Sequence, residues 1–315
     1  MVVSVVIVTY NRKQLLTRCI EAVLNQTMVV SKVFIVNNAS TDGTTAFLKK
    51  SGLISSAPET PTKVVNSTTI HYLRLKENTG GAGGFNAGMQ SAYKDGADFL
   101  WVMDDDGFPH ETCLEKLLEH TNSYEYIMPI SISIENTKLL TWFIRGKKNK
   151  LTRSFSELRE AYPDGIMHHA IPFNGLLLPT SLINKVGFPK KEMFIWGDDF
   201  EYQYRCMNIG VKPVTILDAI FFHPEDKATC YRIFFGLVPV VYSESKLHFT
   251  CLVRNSTYNY WNYKGKHIIV IKFFIYSWLF IVKKRFSLRE YRHYLRCVTD
   301  GIKGDFTRHL DYLKK

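Results

Sequence analysis

The sequence predicts an α/β fold: a mostly parallel sheet with helices on both faces, followed by a C-terminal helical extension that is both basic and apolar. Three observations carry this. Between residues 1 and 106, apolar β-rich runs alternate with segments of helical period, the signature of βαβ units. Polar residues with ligand-binding chemistry cluster at the ends of those runs, where open parallel sheets hold their ligands. Charge is unevenly divided: residues 264–315 hold 13 Lys and Arg against 4 Asp and Glu, a net +9 that leaves only +2 of the chain's +11 for residues 1–263. A near-neutral body with a basic tail argues against a general nucleic-acid binder and for a catalytic domain whose tail meets something anionic. With 46% hydrophobic and 14% aromatic residues in 315, the chain can bury a sizeable core, which excludes a disordered or fibrous protein.

Residues 4–9 read as the first strand, a Val/Ile-rich run suited to burial. Residues 13–25 place Leu15, Leu16, Cys19, Ile20, Val23 and Leu24 on one helical face. A second strand at 33–36 leads into a polar turn at 37–44 and a short helix at 45–50. Residues 51–69, rich in Ser, Thr and Pro, read as a loop. A third strand at 70–75, a helix at 86–94 and a fourth strand at 98–103 complete the alternation. Beyond Asp106 it weakens: helices are expected at 155–162 and 200–209, a short apolar segment at 173–179, and a strand at 214–222 that runs into His223-Pro224.

Four groups in this pattern bear chemistry. In Asp104-Asp105-Asp106, alternation along an extended chain aims Asp104 and Asp106 at one ligand and turns Asp105 away. Two carboxylates converging on one point need a positive charge between them, and a divalent cation with oxygen ligands fits that need. The glycines Gly80, Gly81, Gly83 and Gly84, after Asn78, let backbone approach a ligand ahead of a helix N-terminus, which favours anions. In Trp196-Gly197-Asp198-Asp199-Phe200-Glu201, a carboxylate at a helix start beside a cleft is suited to general-base chemistry. His223, at the end of a β-rich run, is a metal-ligand candidate only in this company.

Together these residues resemble the family 2 glycosyltransferases, inverting enzymes with a GT-A fold. The opening Val5-Val6-Ile7-Val8-Thr9-Tyr10-Asn11, the turn Asn38-Ala39-Ser40-Thr41-Asp42-Gly43-Thr44 and the Asp triplet carry the match, which covers roughly residues 1–225. Asn78-x-Gly-Gly-x-Gly-Gly, Trp196-x-Asp-Asp-x-Glu201 and the downstream His223 are most similar to bacterial galactofuranosyltransferases and their rhamnosyltransferase relatives. The resemblance implies that Asp199 is the catalytic base and that Asp104, Asp106 and His223 hold Mn²⁺ or Mg²⁺. It implies that Thr9, Tyr10, Asn11, Asn37, Asn38, Asp42, Asn78, Gly80, Gly81, Gly84, Asn86 and Asp105 line the nucleotide-sugar site, and that Trp196 and Asp198 meet the acceptor. Residues 1–263 would then form the catalytic domain, with a nucleotide-binding half (1–106) and an acceptor half (107–263).

The implied reaction moves galactofuranose from UDP-galactofuranose, or alternatively rhamnose from dTDP-rhamnose, onto a hydroxyl of a lipid-diphosphate-linked glycan in the synthesis of a cell-surface polysaccharide such as capsule or O-antigen. Two competing readings are a non-catalytic nucleotide-sugar binder, which the presence of Asp199, Asp104 and Asp106 disfavours, and a nucleotidyltransferase, which product mass would separate. One departure stands out. Asn37 replaces an Asp that contacts the uracil N3–H in many members; an Asn carbonyl oxygen accepts the same bond without charge, and thymine presents the same group. The segment expected to read the acceptor, 139–170 with Trp142, Arg145, His168 and His169, contains no interpretable motif.

The six cysteines show neither a C-x-x-C pair nor zinc-like spacing, which fits free thiols in a reducing cytoplasm. The N-terminus lacks a basic region and a signal-length apolar core. Residues 268–282 would span roughly 22 Å as a helix, short of the ~30 Å hydrocarbon core. Basic residues flank this run, a capping box begins at Ser287, and Arg289, Arg292, His293 and Arg296 share one helical face. The tail 264–315 therefore reads as an anchor on an anionic membrane surface, placing the protein in the cytoplasm, peripheral on the inner face of the cell membrane. Nucleic acid is not an expected partner, and the oligomeric state is left open.

Overall fold

The computed structural model describes residues 1–55, 62–146, 150–170, 173–225 and 230–313. In chain order the elements are β1 (Val3–Thr9), α1 (Lys13–Leu24), β2 (Lys32–Asn37), α2 (Thr44–Lys50), β3 (Thr62–Val65), β4 (Thr68–Arg74), α3 (Gly80–Lys94), β5 (Phe99–Asp104), β6 (Phe108–Pro109), α4 (Cys113–Leu118), β7 (Ile127–Ser133) and β8 (Leu139–Arg145). They continue with β9 (Leu151–Ser154), α5 (Phe155–Ala161), β10 (Ile166–Met167), β11 (Asn174–Pro179), α6 (Thr180–Val186), α7 (Asp198–Asn208), β12 (Val214–His223), β13 (Cys230–Ile233), β14 (Val238–Val241), α8 (Lys246–Asn259), α9 (His267–Trp278) and α10 (Leu288–Lys303). The chain divides into two compact units. The first comprises Met1–Pro189 and Cys206–Asp226, the second Lys190–Arg205 and Lys227–Lys315.

The first unit is built on one sheet of strand order β10-β12-β7-β11-β5-β1-β2-β4-β3. Its centre, β5-β1-β2-β4, is parallel, as is the pair β7–β12. β11, expected only as a short apolar segment, is a strand that runs antiparallel between β5 and β7. Every residue of β1 is buried, because both of its faces are covered. Val3, Val5 and Ile7 join a core that includes Leu16, Cys19, Ile20 and Val23 of α1. Those four helix positions are spaced i, i+3, i+4, i+7; Leu15 falls off that arc and is exposed, contrary to expectation.

Val6 and Val8 face α3, and this contact corrects the reading of the glycine run. The helix begins at Gly80 rather than near residue 86, so the glycines are its first turns and not a loop. A Cβ on Gly84 would stand 2.4 Å from Cγ1 of Val8, and one on Gly88 would stand 2.4 Å from Val6 and 2.7 Å from Val36. Gly84 and Gly88 thus let helix and sheet backbones approach closely. Valine is β-branched and cannot swing aside easily. Gly88→Ala is therefore expected to destabilise the protein by about 1–3 kcal/mol, outweighing the roughly 1 kcal/mol that Ala gains over Gly in a helix. The midpoint of urea unfolding measures this.

The 51–69 connection also departs from the loop reading. Its centre, 56–61, lies outside the described residues, but 62–65 form β3, paired with β4 through a two-residue turn in which Asn66 and Ser67 both have positive φ. β3 is a half-exposed edge strand, so it lacks the apolar alternation by which strands are recognised.

The second unit joins the β13–β14 hairpin to α8, α9 and α10 around Phe249, Tyr276, Leu279, Phe280, Tyr294 and Cys297. The expected boundary at 263/264 is thus not a structural division: residues of the basic tail share a core with α8, and only its last two lysines lie outside the described residues. Among the described residues no helix is long and apolar enough to cross a membrane. Among the described residues no cysteine forms a disulfide, and of the six only Cys230 is exposed.

Candidate active site

In the first unit the carboxyl ends of β1, β2 and β5 bring Thr9, Asn38 and the Asp triplet to one edge of the sheet, as the alternation predicts. β5 ends at Asp104, and Asp105 and Asp106 lie in a turn, so strict alternation stops there. Asp105 does not turn away from its neighbour's partner. It is buried, accepts a hydrogen bond from the Thr9 hydroxyl at 2.5 Å, and shares the guanidinium of Arg12 with Asp106, at 3.2 and 2.6 Å. Arg12 is a residue the sequence did not single out. Burial pushes the Asp105 carboxyl up to about 6, although the Thr9 hydroxyl and Arg12 oppose that. Burial acts the same way on Asp106, but the nearby His223 and Arg12 outweigh it and hold that carboxyl below its usual range.

His223 ends β12 and stands 3.4 Å, Nε2 to Oδ1, from Asp106. Its Nδ1 is 2.7 Å from the Pro224 carbonyl, which can only accept, so Nδ1 carries the proton. In the neutral ring Nε2 then presents a lone pair to Asp106 Oδ1, a buried oxygen without a hydrogen bond. Either a proton on Nε2 or a metal ion can sit between the two atoms, and an imidazole whose other nitrogen donates to a carbonyl is oriented as metal-bound histidines are. The donor set therefore fits a divalent ion at Asp106 and His223, with Asp104 half-buried at the end of β5. Among the described residues no group of three His, Cys, Asp or Glu side chains is arranged to hold a metal. Trp142, from the segment without a motif, packs its ring 5.0 Å from that of His223. Residues 147–149 of that segment lie outside the described residues; Arg145, His168 and His169 are exposed.

The remaining nucleotide-site candidates separate into two groups. Asn38 is buried and ties β2 to the start of α3: its amide donates to Asn78 Oδ1 and the Gly80 carbonyl and accepts from the Thr79 N–H. Gly80 takes a positive φ, and a Cβ on Gly81 would meet nothing within 4 Å, so the start of α3 is open to a ligand. Tyr10 is exposed. Asn11, at positive φ, accepts from the N–H groups of Thr41 and Asp42, and Asp42 accepts from Thr44. These contacts fix the turn as a rim.

Asn37 and Asn86 are placed differently from expectation. Asn37 is 0% exposed; it donates to the Tyr72 hydroxyl and accepts from the Ser40 N–H, so it holds the turn and this geometry does not support a base contact. Asn86 lies about 9 Å along α3 from Gly80 at ~1.5 Å per residue, where it bonds the Pro189 carbonyl and Gln90. Gly84, as above, serves packing.

In the second unit, Asp198 and Asp199 open α7. Three positive φ values precede them, at Phe194, Trp196 and Gly197, an unusual backbone that α8 holds in place. Arg254 and Asn255 donate to the Met193 carbonyl, Asn255 also to those of Ile195 and Trp196, and Asn259 to that of Gly197, all within 2.8–2.9 Å. Glu201, fully buried, is held by Arg205 and by the Tyr263 hydroxyl. Asp199 is half-buried and accepts from the Phe200 N–H at 2.7 Å. Burial raises its carboxyl to about 6 against the pull of backbone N–H groups at the helix start. Burial, then the charge of Asp199, pushes the Asp198 carboxyl well above its usual range. A carboxylate with its proton affinity raised toward neutrality is poised to accept a proton. Trp196 is 43% exposed, with its ring tilted against that of His248 at 4.9 Å. No sequence motif flagged Arg254, Asn255 or Asn259; the only available signal was the i, i+4 spacing of two asparagines beside an arginine.

The family model for glycosyl transferase family 2 matches residues 4–183, more than half of the chain. The chain belongs to this family. A galactofuranosyltransferase, GlfT1 of Mycolicibacterium smegmatis, is 30% identical over 316 residues, covering 98% of both chains. GlfT1 of Mycobacterium tuberculosis is 28% identical over 289 residues, 90% of each. Among solved structures, residues 1–349 of S. aureus TarS align with a TM-score of 0.57 at 14% identity, over 98% of this chain and 81% of that one. The chain is thus a family 2 glycosyltransferase with a GT-A fold, as the motifs implied. The family match ends at residue 183, short of Asp199, so the base candidate rests on its own geometry.

Proposed function

We propose that this glycosyltransferase moves galactofuranose from UDP-galactofuranose, with inversion, onto a hydroxyl of a lipid-linked glycan during assembly of a cell-surface polysaccharide. The observation that carries the donor is the end-to-end match to a protein named galactofuranosyltransferase, 98% of each chain. A uridine nucleotide is supported by TarS, solved with UDP-GlcNAc at a TM-score of 0.57.

In this reading the first unit binds the nucleotide: the open start of α3 receives diphosphate oxygens, and Arg12 adds a fixed positive charge. A divalent ion, Mn²⁺ or Mg²⁺, held by Asp104, Asp106 and His223 would neutralise charge on the departing diphosphate; GalNAc-T7, solved with UDP, GalNAc and Mn²⁺, aligns at a TM-score of 0.52. Asp199 accepts the acceptor's hydroxyl proton as oxygen attacks the anomeric carbon opposite the leaving group, with Trp196 and Asp198 beside the acceptor sugar. The protein works in the cytoplasm at the inner face of the membrane, where the basic residues of the second unit meet anionic lipid.

Because the base must be ionised, kcat/KM should fall by about tenfold per pH unit below an acid limb near about 6 and be flat above it. A profile without an acid limb between pH 5 and 7 would remove Asp199 from the role. The donor assignment is tested by offering a panel of nucleotide sugars and measuring nucleotide release. UDP-galactofuranose should give the fastest release; preference for dTDP-rhamnose would overturn the donor.

A further inference from the structure

The second unit contains a cavity of about 540 Å³ that the transfer chemistry above does not use. It lies along α10 and the start of α8, and Lys246, Arg289, Arg292, His293, Arg296 and Tyr312 line it. The three arginines and His293 are spaced i, i+3, i+4, i+7, so one helical face delivers them all. Two carboxylates, Glu244 and Glu290, also reach the cavity, and Lys284 pairs with both, at 3.5 and 3.1 Å. That leaves Lys246, Arg289, Arg292 and Arg296 without an ion-pair partner among the described residues. His293 registers the resulting field: burial first, then Arg308, Lys246 and Arg296, hold it below its usual range. The start of α8 adds backbone polarity of the same sign, since its first turn contains no acidic residue.

Exposed apolar side chains of the same unit indicate where the anion comes from. Phe286 and Leu288 stand immediately before Arg289; Phe235, 99% exposed, and Leu237 tip the β13–β14 hairpin; Val270, Ile271 and Phe274 are exposed on α9. Apolar groups just before Arg289 and elsewhere on the unit that holds the cationic pocket match a ligand with a phosphate head and a hydrocarbon tail.

We propose that this cavity binds the diphosphate headgroup of a lipid, the carrier of the acceptor glycan. The proposal deepens the transferase reading and rests on it for the identity of the lipid. Arginine is the residue suited to it, since each fork grips phosphate oxygens in two parallel hydrogen bonds.

The test uses the full chain and vesicles of phosphatidylcholine doped with undecaprenyl diphosphate, compared with vesicles of equal surface charge made with phosphatidylglycerol. Wild type should prefer the diphosphate vesicles by roughly tenfold or more. The triple variant Arg289→Gln, Arg292→Gln, Arg296→Gln should bring that ratio to about one, whereas the charge-matched triple Lys283→Gln, Arg285→Gln, Lys303→Gln should preserve it. Thermal unfolding and UDP affinity of both variants verify that each is folded. A wild-type ratio near one, or a ratio unchanged in the arginine triple, overturns the proposal. Inorganic diphosphate binding as tightly as the lipid form overturns the lipid source. Nucleotide release onto a soluble acceptor separates the two readings. Release without vesicle preference refutes the cavity alone; vesicle preference without release from any nucleotide sugar supports the cavity as a diphosphate-lipid site and refutes the transferase reading.

Discussion

Asp199→Asn should lower kcat by about 10²–10⁴-fold while leaving the affinity for UDP within about twofold of wild type. The substitution keeps the shape of the side chain and an oxygen that can still accept from the Phe200 N–H, so α7 retains its start. What it removes is the ability to take a proton. The nucleotide candidates lie in the first unit and are untouched. A second readout separates a catalytic from a structural role. The Asp199 carboxyl in the folded protein titrates at about 6, above an ordinary aspartate, so its ionisation opposes folding. Its contribution to stability is complete below the unfolded value and is lost as pH rises through about 6. At pH 7 the asparagine variant should therefore unfold at a higher temperature than wild type while having lost its turnover. Such opposite movement is expected where a carboxylate is held under strain for function. Near-normal turnover would remove Asp199 from the mechanism.

Chelation should abolish transfer, with Mn²⁺ or Mg²⁺ restoring it. The site argues for this through one local arrangement: an Nδ1 committed to a carbonyl, and an Nε2 facing a buried carboxylate oxygen that has no hydrogen bond. His223→Ala should raise the Mn²⁺ concentration for half-maximal activity by at least about tenfold, and Asp106→Asn should do the same. Arg12 gives the alternative a definite form, since a guanidinium already bridges Asp105 and Asp106. Full activity in chelator would mean that Arg12 alone offsets the carboxylates and stabilises the leaving diphosphate.

What the sequence made legible follows from what local pattern can encode. β1, α1, β2 and β5 announce themselves through unbroken or periodic apolar runs, and their positions fix which polar residues reach the edge of the sheet. Asp104, Asp106, Asn38 and Thr9 were readable for that reason. Arg12 was not, because its partners lie 93 and 94 residues away and nothing in its neighbourhood marks it. The same holds for Arg254, Asn255 and Asn259, which act on carbonyls of a segment about 60 residues earlier. Gly84 could not be told apart from Gly80 and Gly81, because a glycine that admits a ligand and a glycine that admits a neighbouring strand look alike in sequence. Only the 2.4 Å approach to Val6 and Val8 separates them. The tail was seen as basic and apolar, but its aromatic residues also pack a core with α8, which charge counting does not register.

The most direct measurement is the anomeric configuration of the product formed from UDP-galactofuranose, read by NMR alongside UDP release. An inverting transferase with Asp199 as base should release UDP in step with sugar transfer and give a linkage opposite in configuration to the donor. A product that retains the donor's configuration, or UDP release without a transferred galactofuranose, would contradict it.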